Sequence, residues 1–131
     1  MESDPSRILQ ILSRESSLEI FDVIANKGKV KGRNLRSMDG ISEKKYYTTT
    51  EKLIKHGLVK RRHTVFTPTS LGRVVYHNLS KINAAIKEYP TLKAIDSIKG
   101  SKEDCERASK ILIDGTIKNS DIKRILSRDF C

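Results

Sequence analysis

The chain has 131 residues, with 26 Lys/Arg against 16 Asp/Glu, a formal net charge of +10 at pH 7, and 37% hydrophobic residues. That length suits one domain with a real core, and no apolar run approaches the roughly 18 residues that a membrane span requires. The start MESDPSR lacks the basic-then-apolar layout of a signal peptide, and Cys105 and Cys131 form neither a disulfide framework nor a CxxC metal pair, so the expectation is a cytoplasmic protein without membrane contact, metal or cofactor.

The charge is unevenly placed. Residues 1–26 carry two basic and five acidic side chains, residues 27–63 carry twelve Lys/Arg against Asp39, Glu43 and Glu51, and residues 64–131 carry twelve against eight. The middle block alone therefore holds +9. A concentrated basic patch usually meets a polyanion, the alternative being a solvated face that serves solubility.

In chain order, Asp4-Pro5 places a capping side chain before a proline at the first helical position. Ile8, Leu9, Ile11 and Leu12 then give a short amphipathic helix. Ser16 with Glu19 matches a capping box and opens a second helix through Leu18, Ile20, Phe21, Val23 and Ile24, stopped by Gly28. Val30 adds one short strand or anchors an extended link. Gly32 to Ser37 reads as a brief helix with Leu35 and Met38 inward, followed by the turn dipeptide Asp39-Gly40. Ser42 caps a helix that runs to about His56 and ends at a C′ glycine, Gly57.

Leu58 to Arg62 and Thr64 to Thr67 read as two short strands, the second ended by Pro68. Their connection, His63-Thr64, is not a favoured hairpin turn, which predicts a very short wing. Thr69 or Ser70 then caps a helix from about residue 70 to Tyr89, broken by Pro90. Three short helices follow: one around Leu92, Ile95 and Ile98 closed by Gly100, one capped by Ser101 and carrying Cys105, Ala108, Ile111 and Leu112, and one from Asn119 or Ser120 with Ile122, Ile125 and Leu126. Asp114-Gly115 is expected to turn the chain between the last two.

Helix, helix, short helix, tight turn, helix, hairpin and long helix is the order of a helix-turn-helix with a wing. Residues 18–76, with LRSMDGISEKKYYTTTEKLIKHGLVKRR and FTPTSLGRVV, resemble the winged helix-turn-helix domains of MarR-like and ArsR-like transcription regulators, including small archaeal ones. The expected fold is mainly α with a small β-hairpin, a winged helix-turn-helix followed by a long helix and short C-terminal helices. Its expected division is a DNA-binding domain at 1–76 and a helical extension at 77–131 for dimerisation or effector binding. The resemblance implies sequence-specific binding to double-stranded DNA, with helix 42–55 in the major groove.

YYTTT, residues 46–50, puts five weak helix formers inside that helix. At helical spacing Tyr46, Thr50, Leu53 and Ile54 form a core-facing stripe, and Lys44, Lys45, Tyr47, Thr48, Glu51, Lys52 and Lys55 face the other way. Thr49 lies at the boundary and joins the contact candidates. Short hydroxyl side chains permit close approach to base edges, and a threonine methyl can touch a thymine methyl. Lysines suit the flanking phosphates. The competing reading, a strand with Tyr46 and Tyr47 on alternate faces, conflicts with the serine cap and the terminal glycine. Arg61 and Arg62, with His63, would bring the wing to the adjacent groove or backbone. Arg33, Arg36, Lys29 and Lys31 are further phosphate candidates or plain solvent-exposed cations.

Val75, Leu79, Ile82, Ile86 and Tyr89 are spaced four, three, four and three apart, a seam that faces another helix. It either pairs with a second copy, giving a homodimer matched to two half-sites, or is covered by the chain's own C-terminal helices. An enzyme is not expected, because no Gly-rich phosphate loop, GxSxG or HExxH is present. His56, His63 and His77 do not pair with the cysteines at ligand spacing, and the metal-sensing clusters of ArsR-like proteins are missing. Cys105 is expected to be a small buried residue, and Cys131 a terminal thiol open to adventitious pairing. The alternative function is a winged-helix protein-interaction module that binds an acidic partner.

Overall fold

Local capping rules decide where most helices begin. In the computed structural model, which describes residues 4–127, Asp4 caps α1 (Pro5–Leu12), its carboxylate accepting from the Arg7 N–H at 2.8 Å. Helix α2 (Glu15–Lys27) starts earlier than a Ser16–Glu19 capping box allows: its N-cap is Arg14, which makes no side-chain cap bond. Ser17 is buried in the packing of α2 and so lies inside the helix, which corrects that expectation. Gly28 closes α2 at φ 80°, a left-handed conformation that glycine adopts without cost.

Val30 does pair: β1 (Val30–Lys31) leads into α3 (Gly32–Arg36), then α4 (Glu43–Lys55), β2 (Val59–Arg62) and β3 (Val65–Pro68). The three strands form an antiparallel sheet in the order β1-β3-β2, with Val30 and Arg61 both opposite Phe66. Pro68 closes β3 rather than standing just beyond it. The β2–β3 connection is only His63 and Thr64, and His63 takes φ 58°. A two-residue hairpin needs positive φ at its first loop position, and histidine is among the non-glycine residues enriched there.

Ile20, Phe21, Ile24, Leu35, Leu53, Leu58 and Phe66 are fully buried and join α2, α3, α4 and the sheet in one core. Helix α5 (Ser70–Lys87) docks its first half on α2, where the Tyr76 ring meets Phe21 edge-on at 6.4 Å and its hydroxyl bonds Asn26. The described residues are mainly helical, about 70%, and form eight helices and the three-stranded sheet. It divides within α5, between His77 and Asn78, into two compact units.

The second unit holds the end of α5, α6 (Tyr89–Asp96), α7 (Lys102–Thr116) and α8 (Ser120–Leu126). Pro90 sits in the first turn of α6, where its missing N–H costs nothing. Ser101 caps α7 and Asn119 caps α8 through their side-chain oxygens. Asp114-Gly115 is not a turn but part of the last turn of α7. Burial of Ile113 and Ile117 on either side offsets a glycine penalty of about 1 kcal/mol. Those two residues and Ile122 are the buried centre of the unit, with Ala84, Ala85, Leu92, Ile95 and Leu126 packed around them. Cys105 is half-buried rather than buried. The expectation for Cys131 falls outside the described residues.

Candidate nucleic-acid interface

Helix α4 is fixed at both ends by backbone chemistry. The Ser42 hydroxyl accepts from the Lys45 N–H at 3.1 Å, and Gly57 leaves the helix at φ 76°. Inside it, the Thr50 hydroxyl donates to the Tyr46 carbonyl at 2.8 Å, so that a poor helix former has its polar group satisfied on the buried side. Tyr46 is buried, its ring edge-on to Phe66 at 6.2 Å and to Tyr47 at 5.0 Å. The Arg36 guanidinium lies 5.4 Å from the Tyr46 ring centroid, which ties the end of α3 to α4 by a cation–π contact.

The buried stripe of α4 is Tyr46, Thr49, Thr50 and Leu53. This corrects two assignments. Thr49 is only 6% exposed and cannot reach a ligand, while Ile54, expected in the core, is 37% exposed. The physical reason is the i, i+3, i+4, i+7 geometry: counted from Tyr46 it selects Thr49, Thr50 and Leu53, and Ile54 falls one step past the stripe. Lys44, Lys45, Tyr47, Thr48, Glu51 and Lys55 are exposed together, and Lys52 is half-buried at their margin.

The hairpin and α3 extend this surface. Val59 anchors β2 in the core, and Lys60, Arg61 and Arg62 are exposed beyond it. Arg33 and Arg36 on α3, and Lys29 and Lys31 beside β1, are exposed as well. The ion pairs Lys81–Asp121, Arg107–Asp104 and Arg124–Asp121 all lie in the second unit. Among the described residues, none of the twelve cations between 27 and 63 is held in an ion pair. Their charge is left to solvent or to a ligand. Among the same residues no group of three His, Cys, Asp or Glu side chains is placed to hold a metal ion, and no helix is long and apolar enough to cross a membrane.

Two residues outside the contact list set this geometry. The Thr69 hydroxyl donates to the Gly57 carbonyl, accepts from the Gly72 N–H at 2.9 Å, and its N–H bonds the Leu58 carbonyl at 3.1 Å. One residue thereby caps α5 and clamps the exit of the hairpin to the end of α4. Gly72 passes so close to Leu58 that a Cβ there would overlap the Leu58 carbonyl oxygen. The sequence marks Thr69 as a cap, but only the fold reveals what lies opposite it. Of the seam residues, Val75 and Leu79 are half-buried, whereas Ile82, Ile86 and Tyr89 are exposed. The expected helix to Tyr89 ends at Lys87, so that Tyr89 opens α6 and does not continue the stripe of α5, which corrects that expectation.

No protein-family model, curated protein or solved structure matches this chain.

Proposed function

We propose that this protein is a transcription regulator that binds double-stranded DNA, with α4 in the major groove and the short basic hairpin on the flanking backbone. The observation that carries this reading is the exposed face of α4, where Lys44, Lys45, Tyr47, Thr48 and Lys55 stand together without ion-pair partners. A helix fits a groove about 12 Å wide, and a recognition helix preceded by a shorter helix and a turn is a recurrent way to place it. Thr48 and Tyr47 offer base-edge chemistry, and Lys44, Lys45, Lys52 and Lys55 offer phosphate contacts. Arg33, Arg61 and Arg62 widen the contact to neighbouring phosphates. The exposed apolar run Ile82, Ile86 and Tyr89 supports pairing of two copies, and a twofold dimer would match two half-sites one helical turn apart.

The test is a fluorescence-anisotropy titration with a mixed-sequence duplex of about three helical turns, at two salt concentrations, with the single strand as control. Steep salt-dependent binding that favours the duplex is expected. Negligible duplex binding at low salt would overturn the reading and leave the same face as a docking surface for an acidic protein.

A further inference from the structure

At the C-terminal end of α4, side chains of α1, of the start of α2 and of α4 line an open cleft of about 300 Å³. Its polar lining is Arg7, Gln10, Arg14, Ser17, Lys52 and Lys55, with His56 beside them. None of the described lining residues is acidic. This is a different composition from the rest of α1 and α2: Arg7 and Arg14 are the two basic residues in a segment with five acidic ones. The fold gathers both of them against the lysines that end α4.

Like charges brought together repel, and an anion between them removes that cost. Two further features point the same way. The wall includes Arg14 and Ser17 at the start of α2, whose N-cap residue, Arg14, makes no side-chain cap bond and whose first turn also carries Glu15, outside the lining. That end of the helix carries partial positive charge, a setting in which phosphates bind. Ser17 is 2% exposed and lines the cleft. Arginine guanidinium groups bind phosphoryl oxygens in a fork, which lysines do not. A volume at the low end of ligand pockets, about 300–1,000 Å³, suits one phosphoryl group with its waters better than a nucleotide.

We propose that this cleft is a binding site for a phosphoryl anion, gripped by Arg7 and Arg14 with Lys52 and Lys55 closing it from α4. The site does not depend on the DNA reading, since it would take a free phosphate or a phosphorylated small molecule as readily as a backbone phosphate at the edge of a bound duplex. Both sources share one chemistry.

The experiment is a ¹H–¹⁵N titration of the full chain with inorganic phosphate, against chloride at matched ionic strength. Saturable shifts are expected at the amides of Glu15, Ser16 and Ser17 and at Lys55, His56 and Gly57, and chloride should not reproduce them. Arg14→Gln should weaken phosphate at least tenfold, and Arg7→Gln several-fold. Lys93→Gln, which removes an exposed charge from the second unit, should leave it unchanged. Arg14 is exposed, so retained dispersion of the amide spectrum checks that its variant is folded. Shifts that never saturate, that chloride matches, or that Arg14→Gln leaves intact would overturn the proposal.

A second arm identifies the source. Displacement of phosphate by duplex, with a salt slope reduced by about one in Arg14→Gln, assigns the site to the DNA backbone. Phosphate binding that persists beside bound duplex, with duplex affinity unchanged in the variant, assigns it to a free anion. Phosphate binding in a chain that ignores duplex altogether would sink the DNA reading and leave this one standing.

Discussion

Thr69 and Gly72 show how much of the surface chemistry hangs on residues that never touch a ligand. The Thr69 hydroxyl joins three segments: the end of α4 through the Gly57 carbonyl, the start of β2 through Leu58, and the first turn of α5 through the Gly72 N–H. Thr69→Val keeps the shape and removes the hydroxyl. It should cost about 1–3 kcal/mol, the sum of a lost cap and a carbonyl left without its donor. A lower denaturation midpoint at unchanged m-value would show this. Gly72→Ala should also cost about 1–3 kcal/mol, because the backbone of Leu58 must move to admit a methyl group. A midpoint equal to that of the parent chain would mean that the close approach is not real. The cap at Thr69 is legible from sequence because capping is local. The contact with Gly57 spans twelve positions and depends on the hairpin length, which no local rule fixes.

At the scale of the element, α4 carries the clearest test. Its ends were readable, since a serine cap and a C′ glycine act within one turn. Its rotation was readable only to within one side-chain step. Hydrophobicity alone favours Ile54 over Thr49 for the core, and the packing of Tyr46, Thr50 and Leu53 selects the threonine instead. Thr49→Lys should unfold or severely destabilise the chain, because it buries a charge without a partner. Ile54→Lys should change stability by no more than about 0.5 kcal/mol. Thermal melts of the two variants decide the rotation, and the reverse ranking would move every contact assignment on the helix. With the rotation fixed, function divides along it. Lys44→Ala with Lys45→Ala should weaken every duplex alike and lower the salt slope by about two, one for each phosphate contact. Thr48→Ala should instead narrow the gap between preferred and random duplexes, by about 1–3 kcal/mol if it touches a base edge. Equal losses on all duplexes from Thr48→Ala would place it on the backbone. Two other elements escaped local reading for related reasons. Helix α2 starts at Glu15 without a side-chain cap, so no local cap signal marks its start, and α7 runs through Asp114-Gly115 because Ile113 and Ile117 both pack.

For the whole molecule, the basic block read from sequence lies on α3, α4 and the hairpin, while large apolar side chains are exposed in both units, Leu9, Leu18, Tyr47, Ile54, Leu71 and Val74 in the first and Ile82, Ile86, Tyr89, Ile111 and Ile125 in the second. Among the described residues, the large hydrophobics that the second unit buries are Ile113, Ile117 and Ile122. Among the same residues this unit exposes more large apolar side chains than it buries, which supports the proposal that a second copy covers part of it. Helical spacing makes the seam legible as an expectation, because periodicity is local, but it leaves open whether the chain's own C-terminal helices cover it. Ile82, Ile86 and Tyr89 are 54%, 66% and 60% exposed within one chain, so those helices leave this stretch open. Ile82→Glu with Ile86→Glu should therefore convert a dimer into a monomer in sedimentation equilibrium, with the thermal stability of the isolated chain changed by no more than about 1 kcal/mol. On DNA the same variant should lose the gain from a second half-site while keeping its affinity for one, since the α4 surface is untouched. A parent chain that is already monomeric at high concentration would remove the dimer from the reading. Loss of helical structure in the variant, with no change in mass of the parent, would show that the seam packs within one chain after all.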